Sequence, residues 1–93
     1  MNTLDLVRGL TLRQLQIFEV AARNLSFARA AEQLHLTQPA ISMQIKLLED
    51  AIGTALFERV GKKVQLTEAG NRLVHHASRI LGELKDAAAA FQS

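Results

Sequence analysis

Residues 26–53, SFARAAEQLHLTQPAISMQIKLLEDAIG, decide the fold, because their capping residues predict two helices joined by a three-residue turn. Ser26 is a favourable N-cap for a helix that runs to about Leu34, and Thr37 is a favourable N-cap for the next helix. Gly53 ends that second helix as a left-handed cap. Two helices connected in this way have the layout of a helix-turn-helix.

The helix that follows Thr37 has two distinct faces. An apolar seam with spacings of 4, 3 and 4 residues predicts the buried face: Ile41, Ile45, Leu48 and Ile52. The tip and the opposite face carry uncharged or cationic residues: Gln38, Pro39, Ser42, Met43 and Lys46. Glutamine can pair with adenine, serine can donate or accept, lysine can reach guanine or phosphate, and methionine can touch a thymine methyl. The pattern suits a helix in a major groove of DNA, and an ordinary solvated face is the alternative that periodicity leaves open.

Residues 57–66, FERVGKKVQL, predict a β-hairpin, because two short β-prone runs flank Gly61-Lys62. The hairpin carries one acid, Glu58, and three cations: Arg59, Lys62 and Lys63. A basic hairpin after a helix-turn-helix is typical of a wing that lies against the phosphate backbone, whereas the alternative is a charged turn that only solubilises the surface. Arg29 likewise has two interpretations, a phosphate clamp or a solubilising charge.

Two further helices flank this region. Thr11 and Gln14 have the spacing of a reciprocal capping box, which predicts a helix that is interrupted at Asn24 and Leu25. One apolar stripe at helical spacing runs along it: Leu12, Leu15, Phe18 and Ala22. Thr67 caps a last helix that runs almost to the C-terminus. Apolar residues on it are spaced by 4, 3, 4, 3 and 4: Leu73, Ala77, Ile80, Leu84, Ala87 and Phe91. This heptad pattern over a helix of roughly 37 Å predicts dimerisation, since so small a body cannot cover the whole helix.

The composition is that of one globular domain. The 93 residues are 48% hydrophobic and 22% charged. The net charge of +2 is too small to indicate nucleic-acid binding by itself. Four Phe without Trp or Tyr disfavour single-strand binders that stack bases on aromatic side chains. Neither a signal segment nor a long apolar run is present, so we expect a soluble, cytoplasmic protein without membrane contact.

An enzyme is disfavoured, and we expect no catalytic residue, metal or cofactor. The absence of Cys excludes disulfides, cysteine-ligated zinc and thiol nucleophiles. His75 and His76 are adjacent on a helix, point about 100° apart and cannot chelate one ion together. Gly61-Lys62 lacks the first glycine and the Ser/Thr of a phosphate-binding loop, because Leu56 and Lys63 occupy those places.

Three stretches together resemble the N-terminal domain of LysR-type transcriptional regulators: LRQLQIF from Leu12 to Phe18, the run from Ser26 to Glu49, and LFERVGKKVQLTEAG from Leu56 to Gly70. The chain further resembles the regulators of Calvin-cycle RuBisCO operons in three segments, TLRQLQIF, LTQPAISMQ and HHASRILGE. The resemblance implies a mainly α fold, a winged helix-turn-helix of three helices plus a β-hairpin wing, followed by a long linker helix. We divide the chain into an N-terminal extension (1–10), a DNA-binding domain (11–66) and a linker or dimerisation helix (67–93).

The resemblance also implies a function, namely sequence-specific binding of partly palindromic promoter DNA by a homodimer that regulates transcription. Gln38, Pro39 and Ser42 would face the groove. Ser26, Arg29 and Thr37 would approach the DNA backbone. Arg59 and Lys62 would belong to the wing. Many members have Arg where this chain has Met43. Full-length members bind a small-molecule effector through a C-terminal domain that we expect to be missing here, and they form higher oligomers. The competing interpretation is a winged helix used for protein–protein contact and dimerisation, without DNA readout.

Overall fold

A computed structural model describes residues 2–92, which form five α-helices and one antiparallel two-stranded hairpin. The helices and strands are α1 (Thr3–Gly9), α2 (Leu12–Asn24), α3 (Phe27–Leu34), α4 (Gln38–Ile52), β1 (Phe57–Val60), β2 (Lys63–Leu66) and α5 (Glu68–Ala90). The predicted class, mainly α with a helix-turn-helix, a hairpin wing and a long last helix, is confirmed. Met1 and Ser93, the ends of the predicted extension and linker helix, lie outside the described residues.

Side-chain caps start the helices where the sequence predicts. The Thr11 hydroxyl oxygen accepts the backbone N–H of Gln14 at 3.0 Å, and the Gln14 side chain accepts the N–H of Thr11 at 3.1 Å, so both bonds of the capping box are present. The hydroxyl oxygens of Ser26, Thr37 and Thr67 each accept the backbone N–H three residues further on and so cap α3, α4 and α5. Each cap satisfies a backbone donor that the first turn leaves free, which is why these boundaries can be predicted locally.

Left-handed residues end three of the helices. Leu25 (φ 49°) follows α2, His35 (φ 56°) follows α3, and Gly53 (φ 88°) follows α4 as predicted. The His35 N–H donates to the carbonyl oxygens of Ala31 and Glu32, which closes the last turn of α3. The chain therefore turns sharply between α3 and α4, as in a helix-turn-helix.

The core lies where α3, α4 and α5 pack against α2. Ile41, Ile45 and Leu48 of the predicted seam are buried, and Ile52 is half-buried. Helix α2 is buried on more than one face because it contacts all three neighbours; the positions that the apolar stripe did not include are Ile17, Val20 and Ala21. Leu12, in contrast, is 47% exposed.

The N-terminal segment forms a helix that the sequence analysis did not predict. The Asn2 side chain accepts the N–H of Asp5 at 2.8 Å and caps α1, which contacts α4. Leu10 packs against the core, whereas Leu4 and Val7 remain exposed. None of the helices in residues 2–92 has the length and apolarity needed to cross a membrane.

The apolar stripe of α5 is divided between two environments. Ala77 is completely buried and Leu73 packs partly against the core, both within the same chain. Ile80, Leu84 and Ala87 are exposed, and Phe91, which caps the helix beyond its last turn, is 90% exposed. The prediction of one continuous dimerisation seam is therefore wrong for Ala77, which has no surface left for a partner, and it is reduced for Leu73. The physical reason is that the first half of α5 packs on α2.

Candidate nucleic-acid interface

An open cleft of about 510 Å³ lies between the start of α3, the start of α4 and the hairpin. It brings together six of the predicted DNA-contacting residues from three separate parts of the chain: Ser26, Gln38, Ser42, Arg59, Lys62 and Lys63. The lining also includes residues that the sequence analysis missed: Leu25, Phe27, Ala28, Val64 and Gln65. Only folding places these segments side by side, since up to 39 positions separate them in the sequence.

The hairpin provides the positive side of the cleft. Arg59, Lys62 and Lys63 are exposed, and none of them forms an ion pair with another residue in the described part of the chain. The antiparallel register places Arg59 opposite Val64 and Lys63 opposite Val60. A short twisted ribbon of this kind presents its unpaired cations to solvent, where phosphate oxygens can reach them.

The starts of α3 and α4 provide hydrogen-bond donors. The Ser26 hydroxyl oxygen accepts the N–H of Arg29 at 3.1 Å, and the Thr37 hydroxyl oxygen accepts the N–H of Ala40 at 3.2 Å. Each hydroxyl therefore keeps its own proton free to donate to an anion. The positive end of each helix dipole favours phosphate at the same place. Arg29 is exposed, but neither it nor Thr37 lines the cleft.

The outer face of α4 continues beyond the cleft. Pro39, Met43 and Lys46 are exposed on it but do not line the cleft, and Met43 is 63% exposed. Lys46 Nζ lies 3.1 Å from a carboxylate oxygen of Asp50, one turn further along. An exposed pair of this kind contributes at most about 1 kcal/mol, so a nucleic acid can displace Asp50 at little cost.

Gln65 is the one unpredicted cleft residue whose exposure the sequence pattern could have indicated. It follows the last cation of the hairpin by two positions and lies opposite Glu58 in the register. Gln65 carries no charge, but its amide can donate to phosphate or to a base edge as well. The strand alternation of β2, in which Lys63 and Gln65 are exposed and Val64 and Leu66 are half-buried, was the available clue.

The chain is similar to known regulators in sequence. A family model described as "Bacterial regulatory helix-turn-helix protein, lysR family" matches residues 12–71. The HTH-type transcriptional regulator CfxR of Cupriavidus necator is 66% identical over 87 residues, which cover 94% of this chain and 27% of that protein. The RuBisCO operon transcriptional regulator of Allochromatium vinosum is 62% identical over 73 residues, or 78% of this chain and 24% of that protein. The chain thus spans about a quarter of the length of these relatives.

Solved structures agree in fold. The BenM_DBD/catB site 1 DNA complex superposes with a TM-score of 0.85 at 30% identity, covering 89% of this chain and 92% of that chain. The CbnR_DBD–DNA complex superposes with a TM-score of 0.77 at 36% identity, covering 90% of this chain and all of the other. Both of these structures are complexes with DNA. The chain belongs to the LysR family of bacterial helix-turn-helix regulators.

Proposed function

We propose that this chain binds double-stranded promoter DNA in a sequence-specific manner and regulates transcription as a LysR-type protein. One observation carries the proposal. The cleft places the amide of Gln38 and the hydroxyl of Ser42 beside three unpaired cations of the hairpin. Base edges are read by neutral donors and acceptors, and phosphates are held by cations and helix N-termini, so the cleft combines both kinds of contact.

The two kinds of contact divide among the predicted residues. The tip of α4 lies in the major groove and reads base edges with Gln38, Pro39, Ser42, Met43 and Lys46. The DNA backbone is held by Ser26, Arg29, Thr37, Arg59, Lys62 and Lys63, of which the last three belong to the wing. Among the reading residues, Met43 offers only an apolar contact to a thymine methyl, so we expect no guanine preference from that position.

A homodimer sets the distance between two half-sites. The exposed part of α5 supplies the pairing surface, namely Ile80, Leu84, Ala87 and Phe91. All four are apolar and are spaced by 4, 3 and 4 residues, and burying them against a second copy removes that apolar surface from water. Two copies related by a two-fold axis then present two α4 helices to successive major grooves, about 34 Å apart.

The relatives indicate which promoters to test. Two relatives that are 62% and 51% identical to this chain are named RuBisCO operon transcriptional regulators. We propose that the target of this chain is a promoter of that kind. In this proposal the protein is cytoplasmic and non-enzymatic, and effector response and higher assembly belong to parts of the full-length protein outside this domain.

Selection from a random pool of duplexes at two salt concentrations tests the proposal. The expected result is an enriched pair of inverted half-sites about 10 bp apart, or a multiple of that, and an affinity that falls steeply with salt. Arg59→Ala should weaken binding to every duplex, which makes it the control for the electrostatic part. Failure to enrich any sequence at either salt concentration would refute sequence-specific binding and favour a protein–protein module.

A further inference from the structure

Glu49, near the end of α4, touches the backbone where the wing begins. Its Oε2 atom accepts a hydrogen bond from the N–H of Leu56 at 2.8 Å and a longer one from the N–H of Phe57 at 3.4 Å. The side chain is half-buried, whereas the neighbouring Asp50 is exposed. Hydrogen bonds from backbone N–H groups to a carboxylate are about twice as strong as those between neutral groups. Glu49 therefore links α4 directly to the start of β1.

The same backbone segment is held from its other side by the start of α5. The Thr67 N–H donates to the carbonyl oxygen of Leu56 at 3.0 Å, and the Thr67 hydroxyl donates to the carbonyl oxygen of Ala55 at 2.7 Å. The ring of Phe57 packs on those of Phe18 and Phe27, with centroids 5.6 and 5.2 Å away. Apolar packing is non-directional, so it holds the strand in place without setting its direction. The hydrogen bonds supply the direction.

We propose that Glu49 is a positioning residue for DNA recognition, which sets the orientation of the wing relative to the tip of α4. The inference rests on the proposed function. Gln38 and Glu49 belong to one helix and lie about 16 Å apart along its axis. Because the helix is a continuous hydrogen-bonded rod, the grip of Glu49 on Leu56 and Phe57 aligns the wing cation Arg59 with the base-reading end. Without these hydrogen bonds, the wing and the start of α4 are no longer held in an orientation in which both contact the same duplex.

Three substitutions in the full chain test this role. Glu49→Ala removes the acceptor, Glu49→Asp keeps the charge but is one methylene shorter, and Glu49→Gln keeps a neutral acceptor. Glu32→Ala is the matched control, because the exposed Glu32 carboxylate makes no hydrogen bond or ion pair with residues 2–92. The readouts are binding to a selected two-half-site duplex over a range of salt concentrations, and amide hydrogen exchange without DNA.

Loss of the contacts between the wing cations and the DNA phosphates should change how the binding constant depends on salt concentration. For Glu49→Ala and Glu49→Asp, we expect binding about tenfold weaker and a slope of log K against log salt that is reduced by about 1 to 3. Glu49→Gln should lie between these variants and the wild type, and Glu32→Ala should keep the wild-type slope. In Glu49→Ala, exchange at the amides of Leu56 and Phe57 should speed up by about 10- to 100-fold, whereas the amides of α2 stay protected.

The outcomes distinguish failure of the positioning role of Glu49 from failure of the proposed DNA-binding function. A wild-type chain that shows neither sequence preference nor salt dependence overturns the proposed function itself. If the wild type binds as proposed and folded Glu49→Ala keeps its slope, only the positioning role is overturned. Should Glu49→Ala fail to fold, Glu49→Asp decides, and a wild-type slope with wild-type exchange at Leu56 and Phe57 overturns the role.

Discussion

Gly70, in the first turn of α5, offers the sharpest test of the packing around the wing. A Cβ atom built at this position would overlap the carbonyl oxygen of Leu56 and come within 2.9 Å of Leu66 Cδ2. The Leu56 oxygen belongs to the backbone and already accepts the N–H of Thr67 at 3.0 Å, so no side-chain rotation can relieve the overlap. Gly70→Ala is therefore expected to push α5 away from the segment that precedes β1.

Two opposing contributions set the magnitude. Overpacking costs about 1–3 kcal/mol, and a clash with backbone belongs at the upper end of that range. Alanine is the better helix former by about 1 kcal/mol, which offsets part of the loss. We expect Gly70→Ala to lower the free energy of unfolding by about 2 kcal/mol, which corresponds to a fall in Tm of about 8–16 °C for a chain of this size.

Gly82 provides the matched control on the same helix. A Cβ atom at that position meets nothing within 4 Å, so Gly82→Ala should gain the helix propensity and raise Tm by about 4–8 °C. Both variants are measured by thermal unfolding and followed by circular dichroism at one protein concentration, since dimerisation makes Tm concentration-dependent. A Gly70→Ala chain at least as stable as the wild type would mean that α5 does not approach Leu56 this closely.

Three further predictions address DNA readout, dimerisation and helix capping. Gln38→Ala should lose about 1–3 kcal/mol of affinity for the selected duplex and little for random duplex, and equal losses in a competition titration would remove Gln38 from base readout. Ile80→Glu places a charge in the exposed part of the α5 stripe and should yield monomers in sedimentation, so an unchanged mass would exclude pairing through this residue. Thr11→Ala breaks one bond of the capping box and should lower the free energy of unfolding by about 1 kcal/mol in a urea titration; an unchanged midpoint would contradict a stabilising role for the cap.

Helix boundaries were predictable because short-range contacts determine them. The bonds of the capping box join residues three positions apart, and the cap of α4 joins Thr37 to Ala40 over the same separation. Gly53 likewise ends α4 through a local bond, from its own N–H to the carbonyl oxygen of Glu49 at 2.7 Å. Such signals are written in the sequence next to the feature that they produce.

The predicted contacts of the last helix were less complete. A spacing of 4, 3 and 4 residues shows that one side of α5 is apolar, but it does not say which body covers that side. The chain itself covers Ala77, through the contact between α5 and α2, and leaves Ile80 exposed. The first helix escaped prediction for a related reason, because its seven residues bury no side chain completely and carry little periodic signal.

Local sequence thus determined the helix-turn-helix, the hairpin and the chemical character of the recognition face, since each depends on neighbouring residues or on one helical period. Tertiary structure alone decided that the hairpin cations stand beside Gln38 and that Glu49 grips the backbone of Leu56. It also decided that Gly70 must lack a side chain, because the carbonyl oxygen of Leu56 occupies that space. These contacts join segments whose meeting depends on how all the helices pack around α2, and no single stretch of the chain encodes that packing.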